Sequence, residues 1–118
     1  IRKKAPVFGS FFGIEDTMVK HIILWQLKEE LSAEEKANIK KEIKSGLEAL
    51  VGKIPGLLAV SVQIEGLASS NADLMLDSSF ENEAALKLYA THPEHVAVAD
   101  GKVRPYTKTR VCLDFEEK

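Results

Sequence analysis

The sequence predicts an α+β domain in which a four-stranded antiparallel sheet carries helices on one face. Three observations support this class. Four stretches show the alternation and β-branched content of strands, one long stretch shows a helical apolar stripe behind a capping sequence, and a second helical stretch is broken at Pro93. Along the chain the order is strand, helix, strand, strand, broken helix, strand, which fits an α+β fold.

The composition fits one globular domain. Of the 118 residues, 45% are hydrophobic, which is enough for a single core. The formal net charge of −2 favours neither nucleic acid nor an anionic membrane as a partner, and no apolar run reaches the roughly 20 residues of a membrane span. One cysteine, Cys112, excludes a disulfide within this sequence and fits a reducing compartment, so we expect a cytoplasmic protein.

Residues 1–17 are interpreted as an N-terminal extension ahead of a domain that spans residues 18–118. Their glycines, their proline and their shortness argue against a signal peptide. Met18 directly precedes the first clear strand. Residues 1–17 are therefore either a tag ahead of a natural start or a flexible arm that docks its apolar side chains on the domain.

The first strand, residues 19–26, is predicted to have two apolar faces. One face carries Val19, His21, Ile23 and Trp25, and the other carries Lys20, Ile22, Leu24 and Gln26. The chain's own helices can cover only one of these faces, which we take to be the face of His21. We therefore expect a second subunit to cover the other face.

The first helix is predicted to begin at Ala33 and to run to about Val51. Ser32 and Glu35 have the spacing of a capping box. The predicted buried stripe comprises Ile39, Ile43, Leu47, Leu50 and Val51. Gly46 lies inside this helix, where it either permits close packing or is merely tolerated.

The remaining elements are predicted from alternation and breakers. Residues 58–64 form the second strand with Leu58, Val60, Val62 and Ile64 on one face. Residues 73–80 form the third strand, which pairs with the second through a long loop. A helix follows the acidic and capping residues 81–83 and breaks at Pro93, a short helix continues to about Val103, and residues 108–115 form the last strand.

Several short motifs together resemble the stress-responsive A/B barrel (Dabb) domain family. They are Met18-Val19-Lys20-His21-Ile22, Ile54-Pro55-Gly56, Tyr89-Ala90-Thr91-His92-Pro93-Glu94-His95 and Arg110-Val111-Cys112-Leu113-Asp114. The resemblance extends from Met18 to about Glu116. It implies a ferredoxin-like protomer that pairs with a second copy to form a dimeric α/β barrel.

The resemblance also implies where chemistry would occur. A plant member of the family cyclises a linear polyketide by an aldol condensation, using a tyrosine and a histidine of the matching segment. By position these are Tyr89 and His95, our predicted catalytic residues. The side chains that we predict to contact a ligand are His21, His92, Ile23, Trp25 and Leu76.

The residue types permit a specific mechanism. A helix that begins at Pro93 would hold His95 in its first turn, where the positive helix end favours the neutral imidazole that a general base needs. Tyr89 could then donate a hydrogen bond to a substrate carbonyl. The alternative is that Tyr89 and His95 bond only across the helix corner, that His92 caps a helix, and that His21 is a core histidine.

Other polar groups receive weaker functional predictions. A metal site built from His21, His92, His95 and Asp114 has little support from spacing, so we expect no metal and no cofactor. Asp114 is predicted to bond near the strand end or to pair with Arg110. Cys112 is predicted to fill space rather than to act as a nucleophile, because the sequence places no histidine beside it.

The function predicted from these observations is binding of a small apolar or carbonyl ligand by a homodimer. A cofactor-independent cyclase or lyase is the candidate activity. The alternatives are a noncatalytic, stress-associated dimer and a cofactor-independent, monooxygenase-like protein, the last by analogy of fold alone.

Overall fold

The structure, a computed structural model, describes residues 18–117, and the predictions for residues 1–17 lie outside this part of the chain. Its strands are β1 (Met18–Leu27), β2 (Leu57–Gln63), β3 (Leu74–Phe80) and β4 (Thr107–Glu117). Its α-helices are α1 (Ala33–Glu48), α2 (Glu83–Thr91) and α3 (Pro93–Val98). A π-helical turn (Ala99–Val103) and a 3₁₀ turn (Arg104–Tyr106) lead from α3 into β4.

The four strands form one sheet in the order β2-β3-β1-β4, and every neighbouring pair is antiparallel. The predicted α+β fold with a four-stranded antiparallel sheet is therefore confirmed. Among the described residues the longest helix has 16 residues. None of these helices is both long and apolar enough to cross a bilayer.

The core lies between one face of the sheet and the helices. The β1 side chains predicted to face the helices, from Val19 to Trp25 in steps of two, are all buried. The matching parity of β3, from Leu74 to Phe80, is also buried. The apolar members of the two sets belong to one core cluster with Ile43 and Leu47 of α1, so the alternation of β1 and β3 identified the core face correctly.

Helix α1 begins as predicted and ends earlier. The Ser32 hydroxyl accepts a hydrogen bond from the Glu35 amide at 3.1 Å, and the Glu35 carboxylate accepts one from the Ser32 amide at 2.8 Å, which completes the capping box. The helix ends at Glu48. Val51 therefore lies in the following turn and is exposed, which contradicts its assignment to the buried stripe.

The predicted face of β2 is wrong at Leu58, which is 44% exposed. The pairing between β2 and β3 shifts register between Leu57 and Ala59. An extra residue at such a bulge reverses the parity on one side of it. Leu57 is consequently buried with Val62, and Leu58 points away from the core.

The helix break occurs at the predicted corner. His92 ends α2 and is also the N-cap of α3, and Pro93 occupies the first turn of α3. The His92 Nδ1 atom accepts a hydrogen bond from the Glu94 amide at 3.1 Å. The helical path continues to Val103 as predicted, although it widens into the π-helical turn after Val98.

Candidate functional site

A cavity of about 170 Å³ lies between the sheet and the corner of α2 and α3. Six of the seven predicted site residues line it. They are His21, Ile23, Trp25, Leu76, Tyr89 and His95. His92, the seventh, is not among the residues that line this cavity, because its imidazole caps α3 instead.

Tyr89 lies at the centre of an aromatic cluster that forms one wall of the cavity. Its ring centroid is 4.1 Å from that of His95, 4.9 Å from that of Phe80 and 6.0 Å from that of His21. The contacts with Phe80 and His21 are edge-to-face, a favourable arrangement for aromatic rings. The cluster fixes the ring of Tyr89 between strands β1 and β3 and helix α3.

The hydroxyl of Tyr89 is buried without a hydrogen-bond partner among residues 18–117. The residue as a whole is only 2% exposed. Burial raises the pKa of Tyr89 to about 12, against the lowering influence of the Arg110 charge. At neutral pH the hydroxyl is therefore a protonated donor that a ligand in the cavity could engage.

His95 lines the same cavity, and its pKa is lowered. Burial is the main cause that lowers its pKa, and the charges of Arg104 and His21 lower it further, while a hydrogen bond to the Ala90 carbonyl opposes them. The neutral state predicted for His95 is therefore favoured chiefly by burial, and not chiefly by the positive end of the helix. Its Nδ1 atom lies 3.3 Å from the Ala90 carbonyl oxygen, to which only a protonated nitrogen can donate, so Nε2 carries the lone pair.

His21 is held by a carboxylate that the sequence did not assign to it. Its Nδ1 atom lies 2.5 Å from Oδ1 of Asp114, which stands directly opposite on β4. The structure thus pairs Asp114 with His21 and not with Arg110. The Sγ atom of Cys112 also lies 3.7 Å from this nitrogen, so the expectation that no histidine adjoins Cys112 is wrong.

Two arginines that sequence reasoning missed also line the cavity. Arg110 is paired in register with Trp25 across β1 and β4, and Arg104 follows the π-helical turn and forms an ion pair with Asp100. Arg110 reaches the cavity because β4 pairs with β1, and Arg104 reaches it because of the path of the chain after α3. The only indication in the sequence was that Arg110 lies on the same face of β4 as Asp114.

The described site therefore combines a neutral donor and a neutral acceptor in one small cavity. Tyr89 can donate to an oxygen that gains negative charge, and His95 can accept a proton. Neither step requires a redox group. This pair is suited to forming an enolate or an alkoxide from a carbonyl compound.

Comparison with known proteins confirms the resemblance found in the sequence. The chain matches the family described as Stress responsive A/B Barrel Domain over residues 19–117. No curated protein matches the chain.

Solved structures agree with the observed fold. A dimeric protein with a ferredoxin-like fold from Bacteroides fragilis is 35% identical, with a TM-score of 0.80 over 85% of this chain and 96% of that chain. A dimeric ferredoxin-like protein from Thermobifida fusca is 21% identical, with a TM-score of 0.72 over 97% of this chain and 98% of that chain. The hydroxynitrile lyase of Passiflora edulis is 16% identical, with a TM-score of 0.70 over 86% of this chain and 94% of that chain.

The similarities to the Thermobifida fusca and Passiflora edulis structures concern the fold alone, whereas the similarity to the Bacteroides fragilis protein concerns the sequence as well. Together with the match over residues 19–117, the identity to the Bacteroides fragilis protein shows that the chain belongs to the stress-responsive A/B barrel domain family and has its ferredoxin-like fold.

Proposed function

We propose that the protein is a homodimer that binds a small carbonyl compound between Tyr89 and His95 and acts on it as a cofactor-independent lyase or cyclase. The observation that carries this proposal is the buried hydroxyl of Tyr89, which has no hydrogen-bond partner within residues 18–117. Buried polar groups are nearly always hydrogen-bonded, so a buried donor without a partner calls for an explanation. A ligand oxygen in the adjoining cavity supplies one.

In the proposed reaction His95 removes a proton from the carbon next to a carbonyl group. The hydrogen bond from Tyr89 stabilises the negative charge that moves onto the carbonyl oxygen. The resulting enolate carbon attacks a second carbonyl of the same molecule, and protonated His95 returns the proton to the new alkoxide. The proton is conserved, and no electron acceptor is needed.

The size of the cavity limits the substrate. A cavity of about 150 Å³ can hold benzene, and the cavity here measures about 170 Å³. It therefore accommodates a part of a substrate about as large as one six-membered ring. A lyase reaction is compatible with the fold, since one structure of similar fold is named a hydroxynitrile lyase.

The outer face of the sheet supports the homodimer. Apolar side chains of β1 and β4 meet there in register, with Ile22 opposite Leu113 and Leu24 opposite Val111. Leu24, Val111, Leu113 and Phe115 are exposed in the single chain. A contiguous apolar surface of this kind is typical of an interface, and the similar structures from Bacteroides fragilis and Thermobifida fusca are dimeric.

The first test is turnover of a panel of β-dicarbonyl and linear polyketide-like compounds. We expect His95→Ala to reduce the rate roughly 10²- to 10⁴-fold, since the variant lacks the general base. His92→Asn is the matched control, because asparagine is also a good N-cap and His92 does not line the cavity. Equal rates for wild type and His95→Ala would exclude His95 as the base.

The same assay has a defined pH dependence. Protonation of His95 removes the base, so the rate is retained at high pH and is lost as the pH falls through the pKa of His95. Burial holds that pKa below the ordinary 6.5. Deprotonation of Tyr89 does not limit the rate near neutrality, because its pKa is raised to about 12.

The cavity is smaller than the roughly 300–1,000 Å³ of most ligand pockets, and this observation favours the noncatalytic dimer as the second candidate. A thermal-shift screen separates the two candidates. Absence of any stabilising compound, together with a loss of stability in a Tyr89→Phe/His95→Gln double variant, would support the noncatalytic dimer.

A further inference from the structure

His21, Cys112 and Asp114 form a compact group of three metal-binding side chains where β1 and β4 pair. One donor atom from each lies within 4.8 Å of the others. The separations are 2.5 Å from His21 Nδ1 to Asp114 Oδ1, 3.7 Å from His21 Nδ1 to Cys112 Sγ, and 3.4 Å from Cys112 Sγ to Asp114 Oδ1. The three residues also line a second, wider cavity of about 660 Å³.

The antiparallel register explains this convergence. Asp114 is paired directly with His21, and Cys112 is paired with Ile23, two residues further along β1. Residues 112 and 114 therefore project from the same face of β4 as His21 does from β1. Only the pairing of the first and last strands brings these three side chains together.

The donor triangle is close to that of a tetrahedral metal site. With zinc bond lengths of about 2.3 Å to sulfur and about 2.0–2.2 Å to nitrogen and oxygen, the ligand atoms of a tetrahedron lie roughly 3.4–3.6 Å apart. Both separations that involve Cys112 Sγ are near this range. The third is short because His21 and Asp114 are hydrogen-bonded, and the Asp114 side chain, 46% exposed, has room to move outward.

A nucleophilic triad does not explain the group. In such a triad the histidine uses one ring nitrogen for the nucleophile and the other for the carboxylate. Here Cys112 and Asp114 contact the same nitrogen, Nδ1. Burial and Asp114 also raise the pKa of the Cys112 thiol, which opposes a free reactive thiolate.

We propose that His21 Nδ1, Cys112 Sγ and Asp114 bind one divalent transition-metal ion, with zinc as the best match to sulfur, nitrogen and carboxylate donors. The fourth position faces the wider cavity and is open to water or to a ligand. Binding displaces the proton of the hydrogen bond between His21 and Asp114 and the thiol proton of Cys112. Neither Tyr89 nor His95 supplies a donor atom to this site, and His21 lines both cavities.

The charges around His21, Cys112 and Asp114 limit the affinity of this site for a metal ion. Bound Cys112 and Asp114 contribute two negative charges, whereas the guanidinium of Arg110, which lines the same cavity, contributes a positive one. Arg110 also acts electrostatically on Cys112. We therefore expect weaker binding than at a structural zinc site with four cysteines.

The test is titration of the purified full chain with Co²⁺ alone, followed by competition with Zn²⁺. Wild type should bind one Co²⁺ per chain, with the visible bands of tetrahedral cobalt and a near-ultraviolet thiolate-to-cobalt band. In Cys112→Ser the thiolate band should be absent. Because even outer partners of metal ligands affect affinity roughly 10- to 100-fold, Cys112→Ser and Asp114→Asn should each weaken binding by about 100-fold or more.

The control is His92→Asn, which removes a histidine outside the group and should bind Co²⁺ as wild type does. Circular dichroism establishes that each variant is folded, and the exposed position of Cys112 and Asp114 makes folding of their variants expected. Absence of Co²⁺ binding by folded wild type would overturn the proposal. Binding that is unchanged in both Cys112→Ser and Asp114→Asn would overturn it equally.

Discussion

Tyr89 and His95 show how one physical cause prepares two side chains for opposite tasks. Burial disfavours the charged form of any group, so it raises the pKa of a phenol and lowers that of an imidazole. Burial raises the pKa of Tyr89 and lowers the pKa of His95, and the centroids of the two rings are 4.1 Å apart. The result is a neutral donor beside a neutral acceptor, which is the state that the proposed proton transfer requires.

Two buried hydroxyls provide a matched test of this interpretation. The Tyr89 hydroxyl has no partner among the described residues, whereas the Ser78 hydroxyl donates to the His21 carbonyl oxygen at 2.8 Å. An unsatisfied buried group costs about 1–3 kcal/mol. Tyr89→Phe should therefore raise the free energy of unfolding by about 1 kcal/mol, and Ser78→Ala should lower it by about 1 kcal/mol.

Urea unfolding of the two variants measures these changes through the transition midpoints. The Tyr89→Phe variant should be more stable and also catalytically impaired, a combination typical of a group kept for function. A loss of stability in Tyr89→Phe as large as that in Ser78→Ala would mean that the Tyr89 hydroxyl has a structural partner.

The residues of the site differ in how far sequence could predict them. The alternation of β1 placed His21, Ile23 and Trp25 on the core face, and the motif around Pro93 located Tyr89 and His95. Asp114 and Arg110 could not be placed, because their neighbours depend on which strand lies beside β1. The order of the strands depends on interactions throughout the sheet and cannot be derived from the sequence of one strand.

At the scale of elements, sequence predicted the start of α1 better than its end, and it missed the bulge in β2. The capping box fixed the start of α1 because its bonds are local. The bulge at Leu57 to Ala59 reversed the predicted face of Leu58, because a bulge arises from pairing with β3. Gly46 of α1 packs closely, since a Cβ atom there would lie 3.1 Å from Val98 of α3.

Two glycines in the connection from α1 to β2 separate backbone strain from packing. Gly52 and Gly56 both have positive φ, 92° and 84°, a conformation that costs other residues about 1–2 kcal/mol. A Cβ atom at Gly52 would meet nothing within 4 Å, whereas one at Gly56 would lie 2.5 Å from the Cβ of Ala85 on α2. The turn at Gly56 therefore fixes the position of α2 against the sheet.

We expect Gly52→Ala to lower the free energy of unfolding by about 1 kcal/mol, from backbone strain alone. Gly56→Ala should lower it by about 3 kcal/mol, because overpacking adds about 1–3 kcal/mol to the strain. Chemical denaturation of both variants measures the difference. Equal losses would show that α2 moves away from the turn at little cost.

At the scale of the whole molecule, the sheet has one face covered by helices and one face that no other element of residues 18–117 covers. The helix-side face of β1 is buried, and its opposite face joins β4 in an apolar surface that includes Leu24, Val111 and Leu113. A second copy would bury this surface as a symmetric interface.

The cytoplasmic location expected from the sequence stays a prediction.

The dimer can be tested by placing a charge in this surface. Leu113 is 64% exposed in the single chain and lies opposite Ile22, so Leu113→Glu would bury an unpaired carboxylate in the proposed interface. Light scattering of the wild type at micromolar concentration should give twice the chain mass of 13.0 kDa, and Leu113→Glu should give the single-chain mass. Leu88→Glu is the matched control, because Leu88 is 63% exposed on α2, which packs on the opposite face of the sheet. It should remain dimeric, since its carboxylate stays in water. A wild type with the mass of one chain, or a dimeric Leu113→Glu variant, would contradict an interface on this face of the sheet.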